Sequence, residues 1–121
     1  MKSQIWQTLL CCFAAAMFLT LGVLAADIVD SGTCGAEGDN LTWTLDNDGV
    51  LTISGTGEMD NWGWTEDGET YNAAPWDTNS ENIITVIING GITVIGNSAF
   101  SNSTNLTSVV IPDSVTVCMV K

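Results

Sequence analysis

Apolar and polar residues alternate along the stretch from residue 41 to residue 54. Leu41, Trp43 and Leu45 fall on one side of it, and the alternation resumes at Leu51 and Ile53 after an Asp-Asn-Asp-Gly tetrapeptide. This period of two is typical of a half-buried strand, and Asp, Asn and Gly accept the backbone of short hairpin turns. The pattern predicts a β-hairpin with Trp43 in its apolar core.

The turn of this hairpin also resembles part of a calcium-binding EF-hand loop. Asp46, Asp48 and Gly49 match positions 3, 5 and 6 of such a loop, whereas Thr44 and Gly55 occupy positions 1 and 12. The carboxylate that opens the loop and the bidentate glutamate that closes it are therefore missing. We interpret the segment as a solvated turn and predict no metal site.

A long segment rich in Gly, Asn, Asp, Glu and Thr follows, from residue 55 to residue 80. Its residues Trp62, Trp64 and Tyr71 are candidates for ligand contact, because aromatic faces beside acidic and amide side chains can stack on sugars or anchor a protein partner. Packing against the core is the alternative for the two tryptophans. It is the preferred interpretation of Trp76, which follows a proline just before the next strand.

The final third of the chain contains an internal repeat, in which residues 83–94 align with residues 106–117 at an offset of 23 positions. Self-similarity at this period is typical of a solenoid of stacked coils. Each unit offers a Val/Ile-rich strand, a polar corner and a second apolar stretch, and Phe100 is predicted to be a buried spacer. The identical pairs are Val86 and Val109, Ile88 and Ile111, Thr93 and Thr116, and Val94 and Val117.

Residues 1–26 have the pattern of a signal peptide. Lys2 precedes an uncharged apolar run, and Ala25 and Ala26 supply small residues for cleavage. A retained membrane anchor is the alternative, because the run is at the short edge of the roughly 17 to 25 residues that span a bilayer. Both interpretations place the remainder outside the cell. We expect a secreted, extracellular or surface-attached protein whose mature part begins near Asp27.

The charge of the mature part excludes several partners. The sequence has 14 acidic residues and a net charge of −12, and every acidic residue lies at or after Asp27, where Lys121 is the one cation. Nucleic acids and anionic lipids bind through Lys and Arg, so neither is an expected partner. Solubility by self-repulsion is the first interpretation of the acidity, ahead of a dedicated basic partner or a Ca²⁺ site.

Two of the four cysteines, Cys34 and Cys118, lie in the predicted mature part. Their separation along the chain does not decide whether they form a disulfide. The sequence has no histidine and no Cys-x-x-Cys pair. We therefore predict neither structural zinc nor any other cofactor.

Several short segments carry a specific resemblance. ITVIG, AF and LTSVVIPDSVT stand at residues 92–96, 99–100 and 106–116, and SGTCG, LTWTL, LTISGTG and PW precede them at residues 31–35, 41–45, 51–57 and 75–76. Together they resemble the BspA-like leucine-rich repeat proteins of gut and oral bacteria and the β module that precedes their repeats. The resemblance implies a secreted or wall-attached adhesion protein.

The implied fold is mainly β. A β-hairpin module with an acidic aromatic loop would occupy residues 27–80, and a leucine-rich-repeat solenoid with one full and one partial repeat would occupy residues 81–121. The family usually has a cysteine near Ser103, and its second unit would continue where this sequence reads Cys-Met-Val-Lys. Because a solenoid needs about three repeats and a polar cap, we expect a truncated product that self-associates through its uncapped edge.

Two classes of function follow from these features. The first is a non-catalytic binding or adhesion scaffold for an extracellular protein or glycan. The alternative is a fragment of a secreted carbohydrate-active enzyme that uses carboxylates of residues 58–69. Glycosidase pairs need a separation of roughly 5 to 9.5 Å, which a flexible loop does not fix, so no catalytic residue is predicted. The carboxylates concerned are Glu58, Asp60, Glu66, Asp67 and Glu69.

Overall fold

The computed structural model describes residues 26–118. The predicted signal peptide, apart from Ala26, lies outside the described residues, as do the last three residues of the chain. The described part contains short and medium strands and one 3₁₀ helix, Asp77–Asn82. The strands are β1 (Ile28–Gly35), β2 (Gly38–Asp46), β3 (Val50–Gly55), β4 (Gly57–Glu58), β5 (Gly63–Trp64), β6 (Tyr71–Asn72), β7 (Thr85–Ile88), β8 (Ile92–Ile95), β9 (Ser108–Val110) and β10 (Val117–Cys118).

The largest sheet has five strands in the order β9-β7-β3-β2-β1. Strands β2 and β3 pair antiparallel, with Trp43 opposite Ile53 and Leu45 opposite Leu51, so the alternation over residues 41–54 does correspond to paired strands. Strand β1 extends this meander on its outer side. Strands β3, β7 and β9 run parallel to one another.

The turn between β2 and β3 is held by its own aspartate. The Asp46 Oδ1 atom accepts hydrogen bonds from the backbone N–H groups of Asp48, at 2.9 Å, and Val50, at 3.0 Å. Gly49 has a φ of 82°, which glycine adopts without the steric cost of a Cβ. The Asp46 carboxylate is thus engaged with the backbone. Residues 26–118 contain no group of three or more His, Cys, Asp or Glu side chains that could hold a metal ion.

Residues that the sequence repeat aligns are neighbours in the structure. Val109 pairs with Val86 in the large sheet, and Val117 pairs with Val94 in a second parallel sheet of order β10-β8-β4. Backbone hydrogen bonds join the same offset, from Thr107 N–H to the Ile84 carbonyl and from Thr116 N–H to the Thr93 carbonyl, both at 2.9 Å. The 23-residue period is therefore one coil of chain stacked on the previous coil.

Strands β3 and β4 occupy the position of a coil that precedes these two. Val50 pairs with Thr85 and Gly57 with Ile92, so both pairs are 35 positions apart. This coil is 12 residues longer than the repeat, and the extra chain lies between Glu58 and Thr85. We refer to residues 50–58 together with residues 83–118 as the stacked coils. The large sheet also crosses the predicted domain boundary at residue 80, since β3 and β7 are neighbours in it.

The core is one cluster formed by residues of β1, β2, β3, β7 and β8 and of the segments between strands. Trp43 is 3% exposed and Trp76 is 1% exposed, and their ring centroids lie 5.7 Å apart in an edge-to-face contact. Phe100 stacks on Trp76, with ring centroids 5.9 Å apart. It is half-buried, whereas the sequence predicts a fully buried residue at this position. The buried apolar residues are Cys34, Leu41, Trp43, Leu45, Leu51, Ile53, Met59, Ala74, Trp76, Ile83, Val86, Ile88, Ile92, Ile95 and Ala99.

The last described coil is far less covered than the one before it. Val109 and Val110 are 40% and 53% exposed, whereas their neighbour Val86 is fully buried. Strand β9 lies at the edge of the large sheet and exposes backbone groups that another strand can pair with. Self-association through this edge stays a prediction.

The two cysteines of the described residues form no disulfide. Both Cys34, which is buried, and Cys118, which is exposed, are free thiols. Desolvation by burial raises the pKa of Cys34 to about 12, so its thiol stays protonated at neutral pH. No helix within residues 26–118 combines the length and apolar character that crossing a membrane requires.

Candidate functional site

The extra chain of the first coil projects a small hairpin of its own. Gly63 pairs with Asn72 and Trp64 pairs with Tyr71 in an antiparallel ladder, which we call the inserted hairpin (residues 63–72). The Thr65 N–H donates to the Thr70 carbonyl at 2.7 Å, which closes the turn. Gly68, with a φ of 76°, provides the left-handed position that the turn requires.

One carboxylate organises this turn. Asp67 Oδ1 accepts hydrogen bonds from the Thr65 hydroxyl and from the Glu69 N–H. The hydrogen bond from Thr65, followed by that from Glu69, lowers the pKa of Asp67 from its ordinary value. The Thr65 hydroxyl also accepts from the Thr70 N–H, at 3.2 Å. These bonds fix the hairpin tip although it is exposed.

The two aromatic side chains of the hairpin form an exposed pair. Trp64 is 68% exposed and Tyr71 is 37% exposed, and their ring centroids lie 5.3 Å apart at an interplanar angle of 65°. The Tyr71 hydroxyl is 3.2 Å from the Ser101 Oγ atom, a hydrogen bond that ties the pair to the repeat region. Trp64 thus presents most of its indole to solvent while Tyr71 supports one side.

Trp62 is placed differently from the other two predicted contact residues. It is half-buried, it packs against the core, and its ring lies 6.2 Å from that of Trp76 in an edge contact. Its backbone N–H donates to the Asn97 carbonyl at 3.0 Å. Its buried indole N–H has no hydrogen-bond partner among the described residues. The structure therefore joins Trp64 with Tyr71 and gives Trp62 a packing environment.

A cleft of about 550 Å³ opens beside the inserted hairpin. Most of its polar lining is uncharged, with amides and hydroxyls from both the hairpin and the corner after β8, and Glu66 supplies its carboxylate. Tyr71 is outside the lining. The lining residues are Asn61, Trp62, Gly63, Trp64, Thr65, Glu66, Asn72, Asn97 and Ser98.

The backbone around the cleft is tightly fitted. Gly63 is buried with a φ of 98°, and a Cβ there would lie 2.7 Å from the Ser98 Oγ atom. A Cβ on Gly96 would overlap the carbonyl oxygen of Asp60. The Asn97 N–H donates to the Asn61 side chain at 3.0 Å. The inserted hairpin is therefore seated on the corner that follows β8 at a fixed distance.

Among the carboxylates of residues 58–69, Glu66 is the one that lines this cleft. Glu58, Asp60, Glu66, Asp67 and Glu69 are all exposed. Asp60 Oδ1 accepts from the Asn61 N–H at 2.8 Å, and Asp67 is engaged in its turn. The enzyme alternative gains no geometric support from these positions.

A larger cavity, about 690 Å³, lies at the turn end of the large sheet. Many of its polar groups already stabilise the fold. Asn105 donates its amide to the Glu81 carbonyl at 2.8 Å, and Asn79 donates to Asp30 at 3.1 Å. The Thr107 hydroxyl contacts the Ile84 carbonyl at 3.2 Å. We regard this cavity as a junction between coils and the smaller cleft as the better candidate site.

Comparison with known proteins places these features in context. No protein-family model matches the chain. No curated protein gives a significant match. Among solved structures, the chain is similar to a leucine-rich repeat protein from Eubacterium ventriosum, with 34% identity and a TM-score of 0.58. The similarity covers 74% of this chain and 23% of that one, so this chain spans less than a quarter of the length of the protein it resembles.

The similarity to a bacterial leucine-rich repeat protein supports two features of this chain, the leucine-rich repeat and the mainly β fold. Leucine-rich repeats are typically scaffolds without catalytic groups. Of the predicted contact residues, Trp62 and Trp64 line the cleft and Tyr71 lies outside it, and the sequence analysis did not name Asn72, Asn97 or Ser98. Asn97 and Ser98 follow the second apolar stretch of the repeat, and only the stacking of the insertion against that corner brings them to the cleft.

Proposed function

We propose that this chain is part of an exported, BspA-like leucine-rich repeat protein that binds an extracellular partner and does no catalysis. The observation that carries the proposal is the coil register, in which Val86 pairs with Val109 and Val94 with Val117. Stacked coils form a rigid scaffold with an extended surface, which suits binding. The 34% identity to a bacterial leucine-rich repeat protein supports the same interpretation.

In this proposal the antiparallel strands β1 to β3 begin a solenoid of repeats. Strand β3 pairs antiparallel with β2 on one side and parallel with β7 on the other, so it connects a meander to the parallel stack. Strands β1 and β2 would then cover the first edge of the solenoid, which is the role of a terminal cap. The residues before Asp27 would direct export, and the mature part would be attached to, or released from, the bacterial surface.

The proposed contact surface is the inserted hairpin with its cleft. Insertions in repeat proteins project as loops on one face, which is often the binding face. Trp64 and Tyr71 form an exposed aromatic pair there, and aromatic residues dominate the energy of many binding surfaces. The partner is an extracellular protein or glycan.

Binding by the mature chain tests this function. Surfaces coated with bacterial cells, matrix proteins or mucosal glycans are expected to retain the wild-type chain, and Trp64→Ala should reduce retention. Ile84→Ala is the matched control, because Ile84 is an exposed apolar residue, 45% accessible, at the other cavity. Failure of the wild-type chain to bind any of these surfaces contradicts the proposal, as does turnover of chromogenic glycosides that requires Glu66.

Export is tested separately. Residues 1–30 fused to alkaline phosphatase, an enzyme that becomes active outside the cytoplasm, should give active enzyme in a bacterial host. Cleavage after Ala25 or Ala26 should be seen by N-terminal sequencing of the product. An inactive cytoplasmic fusion would refute the export part of the proposal, and an active but uncleaved fusion would favour the membrane anchor.

A further inference from the structure

The inserted hairpin carries an exposed indole that the fold holds in place. A large exposed aromatic side chain without neighbours is free to change its rotamer in solvent. Trp64 instead remains 68% exposed, with Tyr71 against it at 5.3 Å and the Tyr71 hydroxyl bound to Ser101. The turn bonds of Thr65 and Asp67 fix the same hairpin from the other end. The indole is therefore pre-organised, which reduces the entropy lost on binding.

The size and lining of the adjacent cleft narrow the ligand class. Its volume of about 550 Å³ suits a small molecule or a short stretch of polymer, for which clefts measure roughly 300 to 1,000 Å³. The amides of Asn61, Asn72 and Asn97 each offer donors and acceptors in the same lining. A ligand with many hydroxyl groups and an apolar ring face matches an aromatic platform beside such amides.

The charge of the described residues further restricts the class of ligand. Residues 26–118 contain no lysine, arginine or histidine, because the sequence has two cations, Lys2 and Lys121, and no histidine. Anionic ligands such as sulfated or uronic-acid glycans would find no cation in the described part of the chain and would be repelled by its net negative charge. A cationic peptide would be attracted by that charge, but Glu66 is the one carboxylate in the cleft lining, and the other polar groups there are neutral amides and hydroxyls.

We propose that the inserted hairpin and its cleft bind an uncharged oligosaccharide, with Trp64 stacking on a sugar ring, Tyr71 positioning the Trp64 indole, and the cleft amides hydrogen-bonding to sugar hydroxyls. This inference rests on the proposed extracellular binding function and specifies its ligand. The ligand could come from hexose polymers or from polymers of N-acetylated amino sugars, which share neutral rings and hydroxyl groups.

Calorimetric titration of the mature chain with defined oligosaccharides tests the inference. Cellohexaose and maltohexaose represent the hexose polymers, and N-acetylchitohexaose represents the N-acetylated ones. At least one of these oligosaccharides should bind, and its affinity should depend little on salt concentration because the oligosaccharides are uncharged. Trp64→Ala should weaken this binding roughly 30-fold or more, as expected for an aromatic hot spot.

Further variants distinguish a role of Tyr71 in positioning the Trp64 indole from a role in folding. Tyr71→Phe keeps the ring that supports Trp64 and should change affinity by less than about threefold, whereas Tyr71→Ala should weaken it at least about tenfold. Ile84→Ala should bind as the wild type does. Thermal unfolding by circular dichroism must show that each variant folds. Equal affinities for the wild type and Trp64→Ala would overturn the inference.

Other outcomes distinguish this inference from the broader function. If cells or matrix proteins retain the chain independently of Trp64 and no oligosaccharide binds, extracellular binding stands, but the inserted hairpin is not its contact surface and the saccharide site is refuted. Binding of a lysine-rich peptide that needs Trp64 and is lost in high salt, without saccharide binding, would also refute it and would assign the cleft to cationic peptides. If nothing binds, both proposals fail.

Discussion

The stacked coils and the inserted hairpin are held together by different forces. In the stacked coils, Val86, Ile88 and Ile92 are at most 2% exposed, and adjacent coils are joined by parallel backbone pairing. In the inserted hairpin, two residue pairs form the ladder, and individual polar groups such as Asp67 and Thr65 fix the tip. The coils therefore provide stability that repeats along the chain, whereas the hairpin provides a surface that occurs once.

This difference indicates how the molecule divides its tasks. Burial of apolar side chains contributes roughly 25 cal/mol for each Å² removed from water, so the coils can support a segment that buries little. Gly63 lets the inserted hairpin lie close to Ser98, and Gly96 lets the segment before the hairpin, at Asp60, lie close to the coils, while Trp64 stays exposed. The hairpin therefore presents exposed aromatic surface, while the apolar core lies mainly in the rest of the chain.

The largest effect should come from comparing two tryptophans, one in each region. Trp76 contacts three aromatic rings and donates its indole N–H to the Ala99 carbonyl at 2.8 Å, so Trp76→Ala should lower the free energy of unfolding by about 3 to 5 kcal/mol. Trp64→Ala should lower it by less than about 1 kcal/mol, because the side chain is mostly exposed. Urea unfolding of both variants measures these values. Equal losses would show that the hairpin is part of the core.

The sequence predicts the coils far better than the insertion, for a physical reason. Alternation fixes which residues of β2 and β3 share a face, and the repeat fixes the offset between β7 and β9, because both depend on burying regularly spaced apolar residues. The first coil has no such signal, since its 12 extra residues break the period. The cleft depends on contacts such as Asn97 with Asn61, which join residues 36 positions apart without any pattern in the sequence.

The outer strand β1 is another element that the sequence pattern does not predict. Its sequence, IVDSGTCG, has little alternation, and most of its residues are exposed. Its pairing with β2 includes two register irregularities, after Ile28 and after Thr33, which a strict period of two would not anticipate. Trp62 is a further example, because spacing along the chain does not distinguish an aromatic residue that packs on Trp76 from one that faces solvent.

A substitution where the insertion meets the coils should have an intermediate effect on the free energy of unfolding. The Cβ introduced by Gly96→Ala would overlap the Asp60 carbonyl, so the two segments must separate, at a cost of roughly 1 to 3 kcal/mol in the free energy of unfolding. Gly90→Ala is the matched control, because a Cβ at Gly90 has no neighbour within 4 Å. It should change stability by less than about 0.5 kcal/mol. Comparable losses in the two variants would contradict the close seating.

The smallest effect concerns the pH response of the hairpin tip. The pKa of Asp67 is lower in the folded hairpin than in the unfolded chain, whose aspartates titrate near pH 3.9. The stabilisation is therefore fully present above that pH and is lost as the pH falls through the lowered pKa. Carboxyl carbon NMR should show a lower pKa for Asp67 in the wild type than in Thr65→Val, which lacks the hydroxyl donor. Identical titration curves would mean that the Thr65 bond does not form.

Removal of the hairpin tip tests the separation of scaffold and binding surface most directly. Gly63 and Asn72 are partners across the hairpin, so two glycines can replace residues 64–71 as a short turn. We expect this shortened chain to keep its β circular dichroism spectrum and cooperative unfolding but to lose binding to the oligosaccharide or surface that the wild type binds. A shortened chain that fails to fold, or one that binds as tightly as the wild type, would contradict the account.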